Sequence, residues 1–183
     1  MNPVERAEIL DHVTYSEQRD AIRARAMAVK DRRRVHAGPH LTFLFENRET
    51  VRYQVLEMVR AEQLVREADI RHELDTYNAL LGGEGDLGAT LLIEIEDEAR
   101  RADLLRRWRG LPGHIALILE DGRRVPARWD LAQMSEDKLS SVQFLIFPVG
   151  PAARPAALVV DHPELAVRAD FTPATRAALA EGL

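Results

Sequence analysis

The stretch over residues 31–81, DRRRVHAGPHLTFLFENRETVRYQVLEMVRAEQLVREADIRHELDTYNALL, constrains this chain most, because it demands several conformations in quick succession. Residues 32–35 read as a helix end, Gly38-Pro39 breaks it, and 40–45 reads as a strand by its β-branched and aromatic content. Glu46-Asn47 then leads into a helix over 48–68. On that helix Val51, Val55, Met58, Glu62, Val65 and Asp69 project within about 40° of one direction. Glu62 thus stands in the middle of an apolar stripe.

The preceding helix, over 16–34, carries a matching interruption. Its stripe runs through Ile22, Ala26 and Val29 to Arg33. Packed stripe to stripe, the two helices would join Arg33 to Glu62 as a partly buried, charge-assisted pair, with Arg52 and Glu57 completing a polar cluster. Left without a partner, a buried Glu62 would hold its proton more tightly, which makes it the candidate for acid or base work. The same helix has a second apolar patch, Tyr53, Leu56 and Leu64. A helix apolar on two sides is sandwiched, either inside its own domain or against another subunit. Trp108 and Trp129 would extend such an interface, so a homodimer or a protein partner is one expectation.

Beyond this stretch the pattern changes from helical to alternating. A short amphipathic segment, 4–10, opens the chain, and 70–81 reads as a short helix or ordered loop. In 89–96, Ala89, Leu91, Ile93 and Ile95 alternate with polar residues, as in a half-buried strand. A charged helix follows to Arg109, stopped by Gly110-Leu-Pro-Gly113. Residues 114–119 and 124–129 form a hairpin around Glu120-Asp-Gly-Arg123, and Pro126 puts its second strand at an edge. The run 140–149 is apolar on both faces and predicts a central strand. A last hairpin turns at His162-Pro-Glu164, and Thr172 caps a closing helix with Pro173 at its first position. The expectation is α+β: a helix-rich N-terminal half packed on a mainly antiparallel, multi-stranded sheet, with a short C-terminal helix. The chain is read as one domain over 1–183. It divides at most into lobes of 1–110, helical with two strands, and 111–183, the antiparallel sheet and final helix.

Composition limits the chemistry. Zero cysteines exclude thiol catalysis, cysteine-ligated zinc and self-ligated iron-sulfur clusters. A net charge of −5 argues against nucleic-acid binding, where a basic face supplies most of the affinity. The first residues are charged from Glu5 onward with no apolar signal core, and no run approaches about 18 apolar residues, so a soluble cytoplasmic protein with no membrane partner is expected. The local clusters Lys30 with Arg32, Arg33 and Arg34, and Arg100 through Arg109, read as solvated helix faces that an acidic partner could also use.

Three constellations are candidates for a site. His36 and His40 are four apart but separated by Gly38-Pro39; across that turn they could converge with His72, Glu73 or Asp75 on a divalent metal, iron, manganese or zinc. The loop 134–141, MSEDKLSS, presents Glu136, Asp137 and Lys138 at a strand mouth, with Arg128 near. A turn with a helix cap is the simpler account and the favoured one, since nothing there spells a nucleophile and its base. Gly83, Gly85 and Gly88 satisfy G-x-G-x-x-G by letter. The order is helix then strand, though, the reverse of what aims a helix N-terminus at a pyrophosphate.

The run RRRVHAGPHLTFLFENRETVRYQVLEMVRAE at 32–62, with SEDKLSSVQFLIF at 135–147 and VDHPEL at 160–165, resembles an uncharacterised bacterial family, domain of unknown function 3501, along most of the chain. The resemblance implies company with rubrerythrin-like and iron-sulfur redox proteins, hence a redox or peroxide-stress setting and a partner of that kind. The family more often has histidine where Gln143 stands and a small residue where His36 stands, which weighs against an essential role at either position. The readings together predict a non-catalytic binding or accessory protein. The alternatives are a small metalloprotein centred on His40 and an acid-base enzyme using Glu62.

Overall fold

In the computed structural model, which describes residues 2–130, 137–181 and 183, the chain runs first through a helical layer. Asp11 caps α1 (His12–Arg32) by accepting from the Val13 and Thr14 amides. Asn47 and Thr50 form a reciprocal capping box on α2 (Arg48–Ala61), and α3 (Glu67–Asn78) follows. The helix expected over 48–68 is therefore two helices. Gln63 adopts φ 50°, and the Leu64 amide donates to the Val59 carbonyl at 3.0 Å, a closure that ends a helix as surely as glycine would.

Two four-stranded antiparallel sheets make up the rest. The first has the order β1-β2-β3-β6: β1 (Arg34–Ala37), β2 (Leu41–Phe45), β3 (Asp86–Ile93) and β6 (Val142–Pro148). The second has the order β5-β4-β7-β8: β4 (Ile115–Leu119), β5 (Arg124–Pro126), β7 (Pro155–His162) and β8 (Leu165–Asp170). Helix α4 (Glu98–Arg107) connects them and α5 (Pro173–Ala180) closes the chain, with Thr172 as its cap. The α+β architecture, the antiparallel pairing, the 120–123 hairpin with β5 at an edge and the short C-terminal helix are all as the sequence predicts.

Two expectations change. Arg34 and Val35, read as a helix end, instead begin β1, which pairs with β2 through a turn where Gly38 takes φ +66°. β6, expected at the centre of a sheet, lies at the end of the first sheet. Beyond it the Arg128 amide and carbonyl pair with Ile146 at 2.7 and 2.9 Å.

The inner faces of the two sheets enclose one core, from Phe43, Phe45, Leu91 and Phe147 to Leu117, Leu158 and Val160, and Phe171 stands edge-on to Phe45 at 5.7 Å. This core takes residues from both sides of position 110, since β6 completes the first sheet. A second cluster, Tyr15, Val51, Val55, Leu56, Val59, Ile70 and Leu74, holds the helices together. Tyr53 and Leu56 are buried within the chain, so α2 is sandwiched intramolecularly, and Trp108 is buried in the main core. No helix among the described residues is long and apolar enough to cross a membrane.

The helical layer is fastened to the first sheet where Gly88 of β3 passes beneath the 3-10 turn Ala79–Leu81. A Cβ at Gly88 would lie 1.5 Å from the Leu80 carbonyl oxygen, backbone against backbone. Gly88→Ala should lose on the order of 3 kcal/mol in urea unfolding. Gly110→Ala, whose Cβ meets nothing within 4 Å, should stay within about 0.5 kcal/mol of the parent.

Candidate functional site

Side chains alternate along a strand, so the residues that leave the core emerge on the outer face of the first sheet, under the helical layer. The register aligns Leu44 with Thr90, Thr90 with Phe144, and Leu92 with Val142. Helices cover this face only in part: Val142 and Phe144 keep 39% and 40% of their surface exposed. Between sheet and helices runs a groove. Its inner compartment, about 310 Å³, is lined by Lys30, Leu44, Glu46, Val51, Gln54 and Thr90. Its outer compartment, about 530 Å³, is lined by Gly82, Asp86, Arg128, Trp129 and Ile146. Tyr77, Leu80 and Phe144 line both, so the two adjoin.

The polar groups of the groove are mostly tied to one another. Glu46, 6% exposed, accepts from the Thr50 hydroxyl at 2.5 Å and the Thr90 hydroxyl at 2.7 Å, one on each carboxylate oxygen. At the outer end Arg128 Nη2 donates to both oxygens of Asp86 at 2.9 Å. Burial pushes the Tyr77 hydroxyl pKa up. Lys30, on the last turn of α1, stands with its ammonium 5.1 Å from the centre of the Tyr53 ring. Burial holds its pKa below the usual lysine value; Arg34 pulls the same way and Glu46 and Glu57 oppose.

The positions singled out from the sequence are scattered. Glu62 is solvent-exposed at the C-cap of α2, because the helix ends there, and it does not meet Arg33. Arg33 is 1% exposed, its Nη1 and Nη2 have no hydrogen-bond partner among the described residues, and burial pushes its pKa down to about 10. Glu57 pairs with Arg19, at 2.8 and 2.9 Å, and accepts from the Tyr15 hydroxyl at 2.6 Å, while Arg52 donates to the Glu8 carbonyl. The Arg19 bond, foremost, holds the Glu57 carboxyl below its ordinary pKa.

The three histidines are not gathered. His36, exposed on β1, bonds Thr42 Oγ1 at 2.9 Å; Thr42 gives its single proton to Glu94 at 2.5 Å, so His36 Nδ1 is the donor. His40 packs against Trp108, ring centres 6.1 Å apart, and His72 is exposed on α3. Among the described residues, no three His, Asp or Glu side chains come together in a way that could hold a metal ion. Asp137 and Lys138 are exposed, and Glu136 lies outside the described residues. Nothing local in the sequence marks Glu46, Tyr77 or Thr90 for a site, and Lys30 reads there only as part of a basic cluster. The signal available was the double-faced apolar run around Phe144.

A family model described as protein of unknown function (DUF3501) matches residues 3–183. No curated protein matches the chain. A crystal structure of a novel protein of unknown function from Burkholderia pseudomallei is similar, 33% identical over 100% of both chains with a TM-score of 0.89.

Two stability measurements check these electrostatic assignments. Arg33 has its folded-state pKa depressed, so below about pH 10 the charged form opposes folding, and the opposition eases as pH rises from there toward 12.5. Arg33→Met should therefore raise the unfolding free energy at pH 7 by about 1–3 kcal/mol. Glu57 works in the other direction: its contribution is present above the ordinary carboxyl value of 4.5 and is lost as pH falls through its lower folded value. Glu57→Gln should cost about 1–3 kcal/mol at pH 7, with the deficit narrowing in titrations below pH 4.5.

Proposed function

Since this chain belongs to the DUF3501 family, whose description names no activity, we propose its function from its own geometry: it is a non-catalytic binding protein that holds a small amphipathic molecule in the groove over the first sheet. One observation carries this reading. Phe144 and Val142 stay substantially exposed, on a sheet face that helices otherwise cover and at the floor of adjoining concavities. Concave, mostly apolar lining with a few placed polar groups is the usual construction of a small-molecule site.

The carboxylate of the inner compartment supports binding rather than acid-base work, because both its oxygens are occupied by threonine hydroxyls. An accessory role beside a rubrerythrin-like or iron-sulfur partner, in a redox setting, rests on the family resemblance alone.

The neutral fluorophore Nile red tests the groove. Its emission should rise saturably with the protein, and Phe144→Glu should weaken binding by at least about tenfold, or about 1.4 kcal/mol. The melting temperature should remain within a few degrees, since Phe144 is already 40% exposed. Unchanged Nile red binding in Phe144→Glu would overturn the proposal. So would a dimer, seen by sedimentation, that this substitution dissolves, for the groove would then be covered by a second copy.

A further inference from the structure

Resting on the groove reading, we propose that the ligand is a medium-chain monocarboxylate, its carboxylate on Lys30 and its apolar body laid across the first sheet toward Trp129. The inner compartment contains two charged side chains, Lys30 and Glu46. Glu46 is satisfied by Thr50 and Thr90. Lys30 is not: an ammonium has three hydrogens to donate, and among the described residues Nζ has no acceptor within hydrogen-bonding reach and no carboxylate within 4 Å, only the face of Tyr53. A half-buried ammonium among Leu44, Val51 and Leu92 is stabilised by a charge-assisted bond to an oxygen anion.

The number of charges favours a monoanion. Lys30 and Glu46 cancel, so a carboxylate adds one negative charge beside Glu46 while giving Lys30 its acceptor, whereas a phosphate dianion would add two, and an ammonium ligand would face Lys30 while finding the Glu46 oxygens already bonded. Charged groups on the surrounding elements, Arg34 on β1, Glu57 on α2 and Glu46 after β2, oppose one another, and Lys30 is the charged donor of the inner compartment that has no acceptor among the described residues.

The shape selects the rest of the molecule. From β2 through β3 and β6 to the segment carrying Trp129 is three strand spacings, about 15 Å in all. That is the reach of an extended medium-chain acid. Leu92, Val142 and Phe144 form its floor, Leu80 and Tyr77 its wall, and Trp129 stands at the outer end, where it would report occupancy.

The test uses the full chain with sodium decanoate, below its micelle range, and 1-decanol as the uncharged counterpart, followed by calorimetry and Trp129 fluorescence. Decanoate should bind at least about tenfold tighter than decanol. Lys30→Met should remove that preference, lowering decanoate affinity about tenfold so that it approaches that of decanol. Lys30→Gln provides the same comparison if the methionine variant does not fold. Decanoate binding unaffected by either substitution overturns the assignment to Lys30. Equal binding of decanoate and decanol to the parent, with Nile red bound, overturns the carboxylate while the groove stands. Binding of none of the three overturns both.

Discussion

The first sheet has to be apolar on both faces, and the rest of the molecule is arranged around that demand. Its inner face carries Phe43, Leu91 and Phe147 against the second sheet, and its outer face carries Leu44, Leu92, Val142 and Phe144 under the helices. Burial of apolar surface drives both associations, at about 25 cal/mol per Å². They close to different degrees. The two sheets enclose a core with side chains at or near zero exposure, whereas the helices touch down chiefly where Gly88 admits the Leu80 carbonyl and leave β6 half uncovered. The groove is the difference between a face sealed by another sheet and a face spanned by three helices.

That incomplete seal also shapes the electrostatics. Charges in the helical layer are handled in three ways. Glu57 is bonded on both oxygens by Arg19 and Tyr15, an arrangement that stabilises the fold at neutral pH. Arg33 is enclosed with its terminal nitrogens lacking protein partners, which opposes folding. Lys30 lies between these extremes, anchored by its stem and by Tyr53 but open toward the groove. Two buried hydroxyl bonds quiet the neighbouring Glu46, so the inner end of the groove presents a donor rather than an acceptor.

Local chemistry was readable wherever the determinant was local. The alternation of Ala89, Leu91 and Ile93, the Asp121-Gly122 turn, Pro126 at an edge and the Thr172-Pro173 cap all appear in the structure as the residues dictate. The Arg33–Glu62 pair failed for a single backbone reason: Gln63 takes a left-handed conformation, and neither glycine nor asparagine marked the place. The three histidines failed for a different one. Thr42 fixes His36, Trp108 fixes His40, and His72 sits on another helix facing solvent. Phe144 is legible as apolar, but its run reads as a strand buried on both sides, because periodicity shows which residues share a face and not what covers that face.

The sequence by itself determined the α+β class, the antiparallel hairpins, the caps and the absence of thiol chemistry, since each follows from propensities and residue types within a few positions of one another. Only the tertiary structure decided that the strands form two sheets, that β6 lies at the end of one of them, and that Lys30, Glu46, Tyr77 and Phe144 share a groove. Those residues are brought together from α1, the end of β2, α3 and β6, more than a hundred positions apart in the chain. Contacts across that separation are set by which apolar faces meet, and no local pattern encodes the meeting.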